Sequence, residues 1–169
     1  MVLKNPNKYQ EGKTFVYFVR HGERISSKED MNLEAGNLGL SSLGKKQAKE
    51  VAKKFTKIKG EIDVMYSSSM NRAFETAKEI AKSVSKKPIV YDSLSEFNKI
   101  LWRKKYYHYK FWKHFIKYRG AMKTFNKILN EHKGKVIVIV AHGNIKKSFR
   151  LCIRLLDAQD AKSSTSILT

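Results

Sequence analysis

Val136-Ile137-Val138-Ile139-Val140-Ala141 is apolar without interruption. β-Branched side chains favour extended backbone, and a strand that is apolar on both faces has to be covered on both. Such a strand belongs at the centre of a sheet with helices above and below it. A second apolar run, Phe15-Val16-Tyr17-Phe18-Val19, has the same character. Each run ends in a histidine followed by a glycine, in Arg20-His21-Gly22 and in His142-Gly143. Open α/β sheets present their chemistry at the carboxyl ends of strands. Two histidines placed alike at two strand ends suggest one shared site.

The rest of the chain alternates between the two periods. The first strand covers about Thr14–Val19, and a loop follows over Glu23–Leu38. Ser41 or Ser42 caps a helix with Leu43, Ala48, Val51, Ala52 and Phe55 on its apolar side, closed by Gly60. The second strand is Ile62–Tyr66. Ser68 or Ser69 caps the next helix, which runs to about Val84 with Ala73, Ala77, Ile80 and Ala81 facing inward. Pro88–Tyr91 reads as a short strand, and residues 98–119 as a basic aromatic segment. Ala121–His132 reads as a helix stopped by Gly134, and Lys135–Ala141 as the central strand. Asn144–Leu156 is a final helix, and Ser164–Leu168 begins an edge strand. Strands alternating with helices predict an α/β fold, a three-layer α/β/α sandwich around a mainly parallel sheet. At 169 residues the chain has room for one domain, spanning 1–169, and too little for two ordinary ones.

Phosphoryl transfer needs a nucleophile, positive charge around the non-bridging oxygens and a proton for the leaving group. Neutral imidazole is available near pH 7 and forms covalent intermediates, so His21 is the candidate nucleophile. A guanidinium binds two oxygens at once and keeps its charge. Arg20 adjoins His21, and Arg72 lies in the first helical turn beyond the second strand. His142 follows the central strand, and Gly143 lets backbone approach an anion. Glu96 follows the short third strand and is the candidate acid. Each of these has a plainer reading when taken alone: a solvated turn, a surface arginine, a loop carboxylate paired to Lys99, a capped turn histidine. Their joint occurrence at like topological positions is what carries the signal.

The matching pieces are Phe18-Val19-Arg20-His21-Gly22-Glu23 and Leu40-Ser41-Ser42-Leu43-Gly44-Lys45-Lys46-Gln47-Ala48. Ser68-Ser69-Met70-Asn71-Arg72-Ala73-Phe74-Glu75-Thr76-Ala77, Leu94-Ser95-Glu96 and Val140-Ala141-His142-Gly143 follow in order. With these pieces, from about residue 14 to 156, the chain resembles the histidine phosphatase superfamily, which has the phosphoglycerate mutase-like fold. The resemblance implies that His21 becomes phosphorylated and that Arg20, Arg72 and His142 bind the phosphoryl oxygens. It implies that Glu96 protonates the leaving group and then helps water attack. It implies no metal and no cofactor. Phosphoglycerate mutases are longer, with insertions that retain the substrate. The stretch Arg24–Leu38 differs from theirs and the chain is short, which favours a phosphatase over a mutase; the missing cap resembles that of the compact phosphoprotein phosphatase branches. The chain also ends where relatives often add another strand. His21-Gly22-Glu23 matches the start of a zinc deaminase signature, but the cysteine pair that signature requires is absent.

The formal charge is +20, from 35 Lys and Arg against 15 Asp and Glu. It favours anionic partners of any kind: phosphorylated metabolites, acidic phosphoproteins, nucleic acid or anionic membrane. Between Leu101 and Arg119 there is no acid. Phe111, Phe115, Tyr118, Met122, Phe125 and Leu129 recur at steps of four and three, the stripe of a core-facing helix, with Gly120 a point where it breaks into two. A packed helix with a solvated lysine face is the first reading of this segment. A substrate rim including Trp102 and Arg103 is the second, and single-stranded nucleic acid is the third. Glu23 either orients the pocket and joins that rim or is a plain loop residue, the second being preferred. A basic binding module on this fold is the rival to catalysis. Cys152 alone forms no intramolecular disulfide and reads as a small core residue. The first thirteen residues lack the apolar stretch of a signal peptide, and no segment is apolar enough to span a membrane, so cytoplasm is the default. Oligomeric state has no signature.

Overall fold

A computed structural model describes residues 13–25, 37–95, 109–143, 145 and 166–168. The elements are β1 (Phe15–Arg20), α1 (Ser42–Thr56), β2 (Val64–Ser68), α2 (Asn71–Val84), β3 (Ile89–Tyr91), α3 (Tyr109–Glu131), β4 (Val136–Ala141) and β5 (Ser166–Leu168). The strands form one sheet in the order β3-β2-β4-β1-β5. All four neighbouring pairs are parallel, and the unbroken apolar strand β4 lies in the middle.

Alternation along each strand sorts the core into two halves. Val16, Phe18, Tyr66, Ile137, Ile139 and Ala141 face α3, where Ala121, Phe125 and Ile128 meet them. Tyr17, Met65, Val138 and Val140 face the opposite way, onto Ala52 and Phe55 of α1 and Ala77, Ile80 and Val84 of α2. The result is the expected α/β/α sandwich. No helix among the described residues is long and apolar enough to cross a membrane.

Several local expectations needed correction. α1 is capped by Ser41, whose Oγ accepts from the Gly44 amide at 3.0 Å. Leu43, expected inside, is 51% exposed, and the buried position of this first turn belongs to Gly44. β2 begins later than expected and runs to Ser68, so Ser68, expected as a candidate cap, is a buried strand residue like Ser67. α2 starts after Met70 with no side-chain cap of its own. Instead Asn37, from the preceding loop, accepts from the Asn71 backbone amide through Oδ1 at 2.8 Å.

α3 is a single helix from Tyr109 to Glu131, and Gly120 does not break it. Tertiary packing of Tyr118, Ala121, Met122 and Phe125 on the sheet outweighs the roughly 1 kcal/mol a helical glycine costs. Phe111 and Phe115 fall outside the residues whose side chains are described. So do the final helix expected over 144–156, apart from Ile145, and Cys152. Among the described residues β5 pairs with β1 alone, as expected of an edge strand.

Candidate active site

β1 and β4 pair in register from Phe15↔Val136 to Arg20↔Ala141. The next residues on the two strands are His21 and His142, so they leave the sheet side by side. The His21 amide continues the ladder by donating to the Ala141 carbonyl at 3.0 Å. The two imidazole rings lie 5.0 Å apart between centroids, tilted by 59°. Parallel register thus unites two histidines far apart in the chain.

The state of His21 follows from its contacts. Nδ1 lies 2.6 Å from the Gly22 carbonyl oxygen, which can only accept. Nε2 lies 3.3 Å from Nε of Arg72, which can only donate. Both contacts demand the same neutral tautomer, with the proton on Nδ1 and the lone pair on Nε2. Nε2 therefore carries the lone pair.

The turn that holds this ring is pinned from two sides. The Gly22 amide donates to Thr76 Oγ1 at 3.1 Å, and Thr76 donates in turn to the Arg72 carbonyl at 2.8 Å. A Cβ on Gly22 would stand 2.6 Å from the Gly44 carbonyl oxygen, and one on Gly44 would collide with the Glu23 backbone. The turn after β1 and the first turn of α1 meet backbone to backbone, which only glycine permits. Glu23 belongs to the same junction: its carboxylate accepts from the Ser41 hydroxyl at 2.6 Å, and its amide donates to Gln47 Oε1 at 2.8 Å.

Arg72 is 2% exposed although it carries a permanent charge. It reaches back from the first turn of α2 to the strand ends. One more of its nitrogens, Nη2, approaches Met70 Sδ at 3.4 Å. Arg20 is exposed, and its guanidinium runs beside Gly143, where an added Cβ would sit 3.6 Å from Nε in ordinary contact.

His142 is fully buried, and its Nε2 lies 3.0 Å from Ser68 Oγ. Burial, followed by the nearby Arg72, His21 and Arg20, pushes its pKa down to about 3 from an ordinary 6.5. At neutral pH it is an uncharged ring among positive groups. Two arginines and two imidazoles at one set of strand ends, one imidazole with an outward lone pair, suit a tetrahedral oxyanion and a nitrogen nucleophile.

The structure brings together Arg20, His21, Arg72, His142 and Gly143 of the expected site. Glu96, Trp102 and Arg103 lie outside the described residues. Ser95, the neighbour of Glu96 in sequence, is described, and its Oγ lies 3.2 Å from Ser68 Oγ and 3.1 Å from Ser69 Oγ. Sequence reasoning missed Thr76, Ser68, Ser95 and Asn37. Thr76 was within reach, because it stands four residues after Arg72 and so shares its helical face. Ser68 was read as a helix cap; only the true end of β2 shows that it faces the site.

The sequence profile described as histidine phosphatase superfamily (branch 1) matches residues 16–113. No curated protein sequence matches the chain significantly. Among solved structures, YhfR of Bacillus stearothermophilus superposes with a TM-score of 0.62 at 23% identity, over 83% of this chain and 80% of its own. A phosphoserine phosphatase variant from Entamoeba histolytica, in complex with phosphoserine, gives 0.58 at 23% identity over 82% and 78%. A mycobacterial glucosyl-3-phosphoglycerate phosphatase gives 0.58 at 18% identity over 80% and 77%.

Proposed function

The chain belongs to the histidine phosphatase superfamily, and from that premise we propose that it hydrolyses phosphomonoesters through a phosphohistidine on His21, without a metal. One observation carries this reading: the contacts of the His21 ring with the Gly22 carbonyl and with Arg72 Nε require the tautomer that places the lone pair on Nε2, beside the buried Arg72.

In the first step Nε2 attacks phosphorus, a P–N bond forms and the P–O bond to the alcohol breaks. Arg72, Arg20 and His142 hold the non-bridging oxygens as charge redistributes over them. The leaving oxygen takes a proton from an acid, the role the family resemblance gives to Glu96. In the second step water attacks the phosphoryl group, its proton returns to that acid, and inorganic phosphate leaves with His21 restored. Glu23 supports the turn that carries His21, through Ser41 and Gln47, instead of serving as substrate rim.

The substrate class is a phosphorylated alcohol. Two of the superposed structures are phosphatases whose named substrates, phosphoserine and glucosyl-3-phosphoglycerate, are esters of this kind. The test is hydrolysis of p-nitrophenyl phosphate in the presence of EDTA, with rapid quenching to trap acid-labile phosphate on the protein. The wild type should release nitrophenol and carry phosphate, and His21→Ala should do neither. Turnover that survives the substitution, or that EDTA abolishes, would overturn the proposal.

A further inference from the structure

Ser68 has no part in the chemistry above, yet it is fully buried at the end of β2 and touches His142. Its Oγ meets three groups: the Met70 amide at 3.2 Å, Ser95 Oγ at 3.2 Å and His142 Nε2 at 3.0 Å. A serine hydroxyl has two lone pairs and one proton. The Met70 amide can only donate and takes one lone pair. Of the other two neighbours, one must donate to Ser68 and the other must accept from it.

Two arrangements satisfy this count. In one, Ser69 donates to Ser95, Ser95 to Ser68 and Ser68 to His142 Nε2. In the other every hydroxyl is reversed, and His142 donates from Nε2. Reversal of three hydroxyl groups together with transfer of the ring proton between Nδ1 and Nε2 interconverts them, with no heavy atom moved and no net charge created. The choice decides what His142 offers a ligand. With Nε2 engaged by Ser68, any hydrogen bond from this ring to a bound anion has to come from Nδ1. Only the first arrangement puts a proton there; the second would set a lone pair against phosphoryl oxygens.

We propose that Ser68 is a positioning residue that fixes the tautomer of His142 when an anion occupies the pocket, by donating to Nε2 and so committing the ring proton to Nδ1. The bound anion selects the direction, and the hydroxyl chain through Ser95 and Ser69 can follow it because either oxygen of each pair can donate. The hydroxyl chain also ties the segment that leads into residue 96 to the phosphate pocket. The catalytic consequence rests on the phosphatase reading; the tautomer does not.

The experiment is nitrogen-15 NMR of the imidazoles in the full chain saturated with inorganic phosphate. His142 should show a protonated Nδ1 and an unprotonated Nε2. Ser68→Ala should lose that single tautomer while its backbone amide spectrum stays native, and kcat/KM should fall roughly 10–100-fold, as when the supporting partner of an active-site histidine is removed. Ser68→Thr, which keeps the hydroxyl, should restore the tautomer. Ser95→Ala keeps the Ser68 contact and should shift the tautomer only in part, which reads the chain even where Ser68→Ala fails to fold. A proton on Nε2 in the phosphate complex, or a tautomer indifferent to both Ser68→Ala and Ser95→Ala, would overturn the proposal. Absence of turnover in the wild type would overturn only the phosphatase reading, because the tautomer is read without turnover. Failure to bind phosphate would overturn both.

Discussion

The two strand-His-Gly turns look interchangeable as sequence and are opposites in the fold. His21 is partly exposed, its Nδ1 held by its own turn and its lone pair beside Arg72. His142 is fully buried, held by a serine from another strand and kept uncharged by burial and by the cations around it. Their glycines differ as well. Gly22 is jammed against the backbone of α1, whereas the atoms nearest a Cβ on Gly143 among the described residues are those of the Arg20 side chain, at ordinary contact distance. The lesson is that a histidine's role is set by which of its nitrogens the neighbours engage. One turn presents a lone pair beside a buried arginine, and the other a buried, uncharged ring held by a serine.

The largest expected effect that breaks this symmetry is a pair of substitutions to glutamine. His21→Gln should lower kcat by at least about 10³-fold, as for removal of a nucleophile. His142→Gln should cost on the order of 10²-fold, as for loss of one donor to a developing anion. Steady-state kinetics on p-nitrophenyl phosphate check both, and equal losses would show that the two turns share one role.

The glycines give the next contrast. Gly22→Ala should cost about 10²-fold in kcat, because the turn has to move to avoid the Gly44 carbonyl, and a shift near 1 Å suffices for such a loss. Gly143→Ala should change kcat by less than about ten-fold, since the nearest described atoms to the new methyl belong to the Arg20 side chain at ordinary contact distance.

The third contrast is in stability. The folded-state pKa of His142 lies below its unfolded value, so between those values the unfolded chain binds more protons. Stability from this residue is complete above about pH 6.5 and is lost progressively as the pH falls toward about 3. Denaturant titrations between pH 7 and 4 should show a loss on the order of a few kcal/mol attributable to it, absent in His142→Gln. A parallel pH dependence in the two proteins would show that the buried ring is protonated as readily as an exposed one.

The smallest expected effect is at the support of the first turn. Ser41→Ala removes the cap of α1 and the partner of Glu23, and should cost about 1 kcal/mol of stability. It should lower kcat a few-fold, while KM for the same substrate changes little.

Much of this was legible from residues alone. The β4 run announced a central, doubly covered strand, and the histidine that follows each apolar run marked the sheet's carboxyl edge. Arg72 was recognisable from its place in a helix after a strand. Ser68 and Ser69 were misread because a serine before a helical pattern is so often a cap, and only pairing with β3 and β4 extends β2 through Ser68. Leu43 was misread because the apolar spacing of α1 holds for the later turns, while its first turn is pressed against Gly22 and Glu23 and has room only for glycine. Gly120 was overweighted because the packing that rescues its helix comes from the sheet.

By itself, then, the sequence determined the fold class and the kinds of group at the strand ends, because apolar period, β-branching and glycine placement are local properties. The tertiary structure alone decided that Arg20 pairs with Ala141, which sets two histidines ring to ring, and that Arg72 approaches Nε2 of His21 while Ser68 approaches Nε2 of His142. Those are non-local contacts. Register and burial choose them, and they decide which imidazole offers its lone pair and which is kept neutral.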